Sequence, residues 1–231
     1  MDSDSKQAKK LYNKQFELYS ENQKNYKGAQ NLRKKVTELI GDDVKNKKVL
    51  FAGCGDGFEC LKVAQNGAEV FGIDISEIGI KLAKQNLSNF CENFFVGDFE
   101  NTSFEDEQFD VLVSMLSIMY KKDITNVLNE FNRILKNDGN IIIAVPHPIR
   151  KMIKYNNMNY FVRGKKFETW QKTKRFNYYR IIEDYINAFY DAKLIVTKVI
   201  EPKPPKENET MSELDLHYPH YIIFKLEKLH K

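Results

Sequence analysis

The 231-residue sequence predicts one α/β domain, in which an open sheet is covered by helices on both faces. Short apolar runs of strand length alternate along the chain with segments whose apolar residues recur at helical spacing. A turn with three glycines, Gly53-Cys54-Gly55-Asp56-Gly57, joins the first of these runs to the helix that follows it. The length suits one such domain, since α/β domains commonly reach ~250 residues, and it argues against two full domains.

The composition is that of a globular protein, with 42% hydrophobic and 29% charged residues. No run approaches the ~20 apolar residues that a membrane-spanning helix needs, and the N-terminus lacks an apolar signal region. We therefore expect a cytoplasmic protein that has no contact with a membrane. The 3 cysteines form no CxxC pair and the 4 histidines are scattered, so neither a disulfide framework nor a metal site is predicted.

The first 40 residues predict two helices that precede the sheet as a cap. Tyr12, Phe16 and Tyr19 follow one another at helical spacing in the first half of this segment. A second apolar set at helical spacing comprises Leu32, Val36, Leu39 and Ile40. An apolar stripe that packs the first helix down explains the three aromatic residues, above all Phe16.

The glycine turn predicts a ligand site between a strand and a helix. Residues 49–52 have the length and flanks of a buried strand, and the helix 58–65 follows the turn. Without Cβ atoms the backbone can approach a bound molecule, and the free N–H groups of the helix N-terminus favour a carboxylate or phosphate. The spacing is GxGxG, because the bulky Phe58 stands where a dinucleotide-binding turn has its third glycine, and NAD(P) is therefore disfavoured.

The next strands end in polar residues that are expected near this turn. Residues 68–74 predict a second strand that ends at Asp74, and Ser76 is suited to cap the helix 78–86. Residues 93–96 predict a third strand that ends at Gly97-Asp98-Phe99. The almost wholly apolar residues 109–114 predict a fourth strand that is buried on both faces. Its exit, Ser114-Met115-Leu116-Ser117, is expected to face a ligand, because ligands of open α/β sheets bind beyond the carboxyl ends of strands.

The fifth strand leads to the most unusual tripeptide of the sequence. Asp123 or Thr125 starts a helix, residues 140–145 form the strand, and Pro146-His147-Pro148 follows it. Two prolines hold the backbone rigid on either side of the imidazole, which suits a general base. A hydrogen-bonded structural role for His147 is the alternative.

The C-terminal part begins with a basic, aromatic-rich segment. Residues 149–177 lack clear strand alternation and predict a lid, and between Arg150 and Arg180 ten bases stand against one acid, Glu168. Residues 181–189 return to helical spacing, and residues 194–200 and 221–226 predict the last two strands. A polar loop with several prolines, residues 202–216, is predicted between those strands.

The segment VLFAGCGDG, Asp74 after the second strand and Gly97-Asp98-Phe99 after the third together resemble the class I S-adenosylmethionine-dependent methyltransferases. The later half is similar to a bacterial small-molecule branch of that family, in the HP pair after strand five, the aromatic-rich insertion, Arg180 before a helix, EPxPP and Pro219. The resemblance implies a seven-stranded Rossmann-like sheet with an antiparallel last strand. A helical cap, 1–40, and a lid insertion, 149–177, would complete a single domain, 1–231.

The resemblance also implies the cofactor S-adenosylmethionine and the product S-adenosylhomocysteine, with Asp74 at the ribose and Asp98 at the adenine. The implied cofactor contacts are Tyr12, Tyr19, Gly53, Cys54, Gly55, Gly57, Asp74, Ile75, Asp98, Phe99, Ser114 and Met115. Phe51 departs from the family, which usually has Asp or Glu at this position to help hold the cofactor's amino group. Asp191-Ala192-Lys193 lacks the usual glycine after its helix.

The implied activity is methyl transfer to an oxygen or nitrogen of a small metabolite, and the excess of bases between Arg150 and Arg180 predicts that this metabolite is anionic. His147 is the candidate base, and Tyr19 and Tyr120 are candidates for the active site because their rings could face the sulfonium charge. The predicted acceptor contacts are His147, Arg180, Lys165 and Lys166.

Two alternatives remain open from the sequence. Bases interleaved with aromatics also suit a nucleic-acid methyltransferase, although no NPPY-like motif follows strand four and nucleic acid is therefore the less favoured partner. Phe51 motivates the second alternative, a regulator that binds the cofactor without catalysis. The sequence leaves open whether the protein is a monomer or a homodimer.

Overall fold

A computed structural model describes residues 2–25, 27–154, 159–170, 172–204 and 216–230. The strands in this part of the chain are β1 Lys48–Ala52, β2 Glu69–Asp74, β3 Phe94–Val96, β4 Phe109–Met115, β5 Leu135–Pro146, β6 Gly164–Trp170, β7 Thr173–Tyr179, β8 Leu194–Ile200 and β9 Tyr221–Lys228. The helices are α1 Ser3–Asn25, α2 Lys27–Ile40, α3 Phe58–Gln65, α4 Glu77–Asn86, α5 Ile124–Ile134, α6 Pro148–Lys154 and α7 Ile182–Asp191. Most of the predicted polar loop 202–216 lies outside the described residues.

Seven strands form one sheet in the order β3-β2-β1-β4-β5-β9-β8. The first five are parallel, and β9 runs antiparallel between β5 and β8. This arrangement confirms the predicted sheet and its antiparallel last strand. The chain leaves β1 toward β2 on one side and reaches β4 on the other, so a crevice opens beyond the carboxyl ends of β1 and β4.

Helices cover both faces of the sheet, as predicted. Successive residues of a strand point to opposite faces, and in β1 Leu50 packs in one core while Val49 and Phe51 pack in the other. The first core includes Phe131 of α5 and residues of α7, and the second includes residues of α2, α3 and α4. Within the described residues no helix has the length and apolar content needed to cross a bilayer.

Local signals predicted the starts of two helices. Ser76 accepts a hydrogen bond from the Gly79 N–H at 3.1 Å at the start of α4, and Asp123, one of the two candidates, caps α5. The fifth strand begins at Leu135 rather than at residue 140, because Leu135 pairs with Phe109 and the register then shifts at a bulge.

The insertion contains a β-hairpin that the sequence did not predict. Strands β6 and β7 pair antiparallel from Gly164–Tyr179 to Trp170–Thr173, so the expectation of no strand in residues 149–177 was wrong for this part. The pattern of apolar residues does not predict these strands, because the buried positions include the polar Thr173 and Asn177 while Phe167 is 69% exposed. A sequence pattern of apolar-in and polar-out residues is therefore absent.

The hairpin docks on α1 through polar contacts. The Lys165 ammonium donates to Asp4 and to Gln7, each at 2.6 Å, and the Tyr178 hydroxyl also donates to Asp4. The side chain of Gln15, where α1 has a non-helical backbone (φ −131°), accepts from the Lys174 N–H at 3.0 Å. The predicted cap and the predicted lid thus pack against each other.

The glycine turn is packed tightly at its first residue. Gly53 has φ +80°, and a Cβ atom there would lie 2.3 Å from the Ser117 Cβ atom, closer than two carbon atoms can approach. Gly41 has a similar φ of +83°, but a Cβ atom added there would have no other atom within 4 Å. A side chain at Gly41 would therefore cause backbone strain alone, whereas a side chain at Gly53 would cause both strain and steric overlap.

We predict that Gly41→Ala lowers the free energy of unfolding by about 1 kcal/mol through backbone strain alone. Gly53→Ala should lower it by about 2–4 kcal/mol, because overlap with Ser117 adds an overpacking cost of ~1–3 kcal/mol. Urea denaturation followed by circular dichroism measures both values. Equal losses for the two variants would contradict the close approach of Gly53 to Ser117.

Candidate functional site

The glycine turn is tied to the end of β2 by Asp74. The Asp74 carboxylate accepts hydrogen bonds from the Gly55 N–H at 2.9 Å and from the Ser76 N–H at 2.8 Å. Burial raises the pKa of Asp74 above its ordinary value, although these two N–H groups act in the opposite direction. The carboxylate is thereby held in one orientation beside the turn, where it can accept hydroxyl donors.

A cavity follows the glycine turn and has two compartments that adjoin there. Both compartments include Gly53 and Gly55, and they also share Phe16, Tyr19, Met115 and Leu116. The aromatic compartment has an empty volume of about 680 Å³, part of it open to solvent, and its other lining residues are Ser5, Ala8, Tyr12, Asp74, Ile75, Gly97, Asp98, Phe99, Ser117, Tyr120 and Lys121. The charged compartment has about 670 Å³, and its other lining residues are Ser20, Arg33, Val36, Phe51, Cys54, Asp56, Phe58, Glu59 and Val113.

Three tyrosines form an edge-to-face group in the aromatic compartment. The Tyr12 ring centroid lies 5.0 Å from that of Tyr19 and 5.5 Å from that of Tyr120, and the Tyr12 hydroxyl donates to the Tyr120 hydroxyl. Burial raises the pKa of both Tyr12 and Tyr120. These phenols therefore stay neutral near pH 7, so they offer ring faces and hydroxyl groups and do not act as phenolate bases.

A buried ion-pair network supports these tyrosines from the hairpin. The Arg175 guanidinium donates to Glu168 at 2.8 Å, and the Asn177 side-chain amide donates to the same carboxylate. Burial disfavours the charge of Arg175, but Tyr120 and Glu168 outweigh that effect and raise its pKa. The hairpin thus places a permanent cation next to the tyrosine group, although its charge is offset by Glu168.

Asp98 lines the aromatic compartment, but other groups of the protein bind its carboxylate. It accepts from the Lys121 ammonium at 2.6 Å, from the Ser5 hydroxyl at 2.7 Å and from the Glu100 N–H at 3.1 Å. Burial acts to raise the pKa of Asp98, but the bonds from Lys121 and Ser5 prevail and lower it. Asp98 therefore joins α1 to the sheet at the floor of the compartment.

The charged compartment contains ionic groups that the sequence did not identify as site residues. Arg33 of α2 lies 2.5 Å from a Glu59 carboxylate oxygen, measured from its Nε atom. The Asp56 carboxylate accepts from the Ser20 hydroxyl at 2.6 Å. Phe51, at the position where the resemblance expects an acid, is only 5% exposed and forms part of the apolar wall.

Ten of the twelve predicted cofactor contacts line the two compartments. Gly57 and Ser114 are the exceptions. Gly57 has φ +72° and closes the turn, where a Cβ atom would lie 2.6 Å from Leu87. The Ser114 side chain is fully buried and bonds to Ser117 at 2.8 Å, so Ser114 supports a lining residue instead of lining the cavity.

The predicted acceptor contacts lie outside the walls of both compartments. Arg180 is buried and donates to the Lys122 carbonyl at 2.8 Å, which fixes the backbone after Tyr120. Lys165 binds Asp4 of α1, and Lys166 is exposed.

A carboxylate that the sequence could not identify lies beside His147. The His147 Nδ1 atom accepts from the Ile149 N–H at 3.1 Å, so the proton is on Nε2, which lies 2.8 Å from a Glu201 oxygen. Burial lowers the pKa of His147 below its ordinary value, and Glu201 offsets only part of that shift. The neutral imidazole is therefore the dominant form at pH 7.

Several lining residues carried no signal in the sequence. Lys121 follows the exit of β4 without a recognisable motif, and Arg33 is one of several bases on an amphipathic helix. Asp56 lies inside the glycine turn, in which only the glycines and Cys54 are predicted contacts. Each of these side chains acquires its place through contacts with distant segments.

Comparison with known proteins identifies the family. Residues 43–198 match the family model described as "Methyltransferase domain". The chain is 33% identical over 111 residues to magnesium-protoporphyrin O-methyltransferase of Rhodobacter capsulatus, across 46% of this chain and 49% of that protein. It is 30% identical over 101 residues to ubiquinone biosynthesis O-methyltransferase of Bartonella tribocorum, across 43% of this chain and 41% of that protein. The matched region thus spans about half of these relatives or less.

The fold has close counterparts among solved structures. A structure of an S-adenosylmethionine-dependent methyltransferase from Mesorhizobium loti superimposes with a TM-score of 0.72 at 20% identity, across 89% of this chain and all of that one. The family match covers more than half of the chain and includes the glycine turn, Asp74 and Asp98. The chain therefore belongs to the class I S-adenosylmethionine-dependent methyltransferases, which confirms the predicted family, fold and cofactor.

Proposed function

We propose that the protein transfers a methyl group from S-adenosylmethionine to an oxygen or nitrogen atom of a small acceptor. The observation that carries the proposal is the Asp74 carboxylate, which Gly55 and Ser76 hold beside a turn where Gly53 has no room for a side chain. A turn of this kind lets the backbone approach a ligand closely, and the carboxylate can accept a pair of ribose hydroxyls. When bound, the cofactor supplies a methyl group that its sulfonium charge already activates.

The aromatic compartment fits the adenosine end. Asp74 accepts the ribose hydroxyls, and Ile75, Phe99 and Met115 provide apolar walls for the adenine ring. Because Lys121 and Ser5 bind the Asp98 carboxylate, Asp98 contributes mainly by fixing the shape of this compartment.

The group of three tyrosines suits the positively charged sulfonium of the cofactor. Neutral aromatic rings attract a cation through their faces, and Tyr12, Tyr19 and Tyr120 converge in the compartment wall. Their raised pKa values keep Tyr12 and Tyr120 neutral, so they position the reacting groups while the base is supplied elsewhere. Alignment of this kind can supply several kcal/mol of the barrier, on the order of 7–11 in favourable cases.

We predict that Asp74→Ala weakens binding of S-adenosylhomocysteine by at least about tenfold, since charge-assisted hydrogen bonds contribute roughly 1.5–3 kcal/mol. Asp110→Ala is the matched control, because Asp110 also accepts two hydrogen bonds, from the Lys48 N–H and from Lys136, but lies at the amino end of β4. Isothermal titration calorimetry measures both affinities. Unchanged affinity in Asp74→Ala would remove the assigned cofactor site.

The base in this proposal is His147. Its strand, β5, pairs with β4 up to Met115 and Ala144, so His147 follows the same edge of the sheet as the cavity. To act as the base, the imidazole accepts the proton of a hydroxyl or ammonium acceptor at Nδ1, so the hydrogen bond from the Ile149 N–H to that atom must break when the acceptor binds. Glu201, 2.8 Å from Nε2, then stabilises the imidazolium that results.

We predict that His147→Ala lowers kcat by ~10²–10⁴ and leaves the affinity for S-adenosylhomocysteine unchanged. Burial holds the pKa of His147 below its ordinary value, and the base must be unprotonated, so wild-type kcat/KM should be level at neutral and alkaline pH and fall in acidic solution. Equal losses of kcat and cofactor affinity would make His147 a structural residue. Tight cofactor binding without turnover of any acceptor would instead favour the regulator.

The acceptor in this proposal carries a phosphate or carboxylate. The segment from Arg150 to Arg180 has ten bases and one acid, and a local excess of positive charge attracts an incoming anion. Acidic partners offset several of these charges, including Arg163 with Asp184 and Arg175 with Glu168. Lys166 is exposed, so a substitution of this residue tests the positive charge that remains in the segment.

We predict that Lys166→Glu raises KM for the acceptor at low salt and that the effect shrinks at moderate salt, because exposed charges are screened over about 10 Å at 0.1 M. Cofactor affinity should not change in this variant. Lys165→Glu is the contrasting variant, since losing the contact with Asp4 should alter cofactor affinity as well. A salt-independent KM would contradict the anionic acceptor, and preference for a long RNA with a salt slope of several units would favour the nucleic-acid methyltransferase.

A further inference from the structure

The main sheet ends at β8 with an apolar surface that the described residues leave uncovered. β8 is the last strand at this edge, and its ladder partner is β9. Helix α7 covers these strands from one face, with the rings of Tyr185 and Phe189 centred 5.9 Å and 5.2 Å from the ring of Phe224 in β9. The edge therefore consists of two layers, a helix above a strand.

Helix α7 has more apolar residues than it buries. Tyr185 and Phe189 belong to its buried side. Ile182, Ile186 and Tyr190 follow one another at four-residue spacing, so they share a second side of the helix. Ile182 is half-buried against the core, whereas Ile186 is 39% and Tyr190 is 69% exposed. This second side is apolar along almost the whole length of α7.

Strand β8 extends this apolar surface into the second layer. Val196 is half-buried against the same core as Ile182. Val199 pairs with Phe224, so its side chain lies on the α7 side of the sheet, and it is 49% exposed. The register of β8 shifts after Val196, so side chains rather than a regular row of backbone groups make this edge suitable for association. The edge flank consists of Ile182, Ile186, Tyr190, Val196 and Val199.

The edge flank suits a partner that is apolar and uncharged at the contact. None of its five side chains carries a charge near pH 7. Glu183, which follows on the same side of α7, lies 3.7 Å from the Arg163 guanidinium. Two copies of the flank can thus approach each other without like-charge repulsion, whereas a nucleic acid or an anionic membrane would find no counter-charge on it.

The size of the flank is sufficient for a weak but specific pair. β8 has 7 residues and is thus about 23 Å long. A helix layer and a strand layer together are about 20 Å deep. Each flank therefore offers roughly 500 Å², and a symmetric pair would bury roughly 1,000 Å², near the lower limit of specific interfaces.

We propose that two copies of this chain associate through the edge flank, related by a twofold axis normal to the sheet. Such an axis runs β8 antiparallel to its counterpart and sets α7 beside α7 in the same layer. Helix then meets helix and strand meets strand, so the apolar side chains of both layers are covered together. The association requires neither cofactor nor acceptor, and it is independent of the proposed methyl transfer.

Sedimentation equilibrium of the full chain tests the association. The wild-type protein should show a reversible monomer–dimer equilibrium with a Kd on the order of 10 µM, since interfaces of this size are weak. Val199→Glu should raise that Kd by about tenfold or more, because the new carboxylate would be buried against the second copy. Val96→Glu is the matched control. Val96 is 47% exposed in β3, at the other edge of the same sheet, and its substitution should change the Kd by less than about twofold.

A pair of opposite charges tests the twofold axis. Ile186 lies in the middle of the apolar side of α7, so it faces its counterpart near the axis. Ile186→Glu and Ile186→Lys should each raise the Kd of self-association by about tenfold or more. An equal mixture of the two variants should restore dimers, because opposite charges then meet across the axis. Circular dichroism checks that each variant is folded, and the Ile186 variants decide the question if Val199→Glu does not fold.

A wild-type protein that stays monomeric up to about 200 µM would overturn the proposal. Dimers that persist in both Val199→Glu and Ile186→Glu would do the same, as would dimers that only Val96→Glu disrupts. Dimers that both Ile186 variants abolish and that mixing does not restore would overturn the twofold arrangement.

Discussion

The hydrogen bond from the Gly55 N–H to the Asp74 carboxylate holds the site together, because it joins the glycine turn after β1 to the end of β2. The turn can adopt this path only because Gly53, Gly55 and Gly57 all have positive φ angles. Ser117, which follows β4, contacts the same turn, and its hydroxyl donates to the Ala52 carbonyl at 2.7 Å. Three neighbouring strands therefore position one carboxylate and one backbone turn at the crevice of the sheet.

The cover of the cavity depends on long-range polar contacts between α1 and the insertion. Ser5, Tyr12 and Phe16 of α1 form part of the aromatic compartment, so the cap contributes a wall of the site. Asp4 and Gln15 join this helix to the hairpin, and Ser5 joins it to Asp98. A ligand in the aromatic compartment therefore contacts the cap and the sheet together, and its binding free energy depends on both.

The insertion is strongly basic in sequence, but in the folded chain acidic partners offset part of its positive charge. Lys165 is paired with Asp4, Arg163 with Asp184, and Arg175 with Glu168. Side chains paired in this way exert a much weaker field at a distance than isolated cations do. Three of the ten bases in this segment thus hold it against α1 and α7 or support the tyrosine group.

The sequence by itself determined the features that rest on local chemistry: the alternating strands and helices, the glycine turn, Asp74 at the end of β2, and Ser76 as a helix cap. These features depend on residues that lie close together in the chain. Only the tertiary structure decided that the hairpin exists, that Lys121 and Ser5 bind Asp98, that Glu201 lies beside His147, and that Arg33, Asp56 and Glu59 share one compartment. These pairings join segments that are distant in sequence, such as Asp4 and Lys165, which are 161 positions apart. A local pattern of residues carries no information about such contacts, because the packing of the whole fold brings them together.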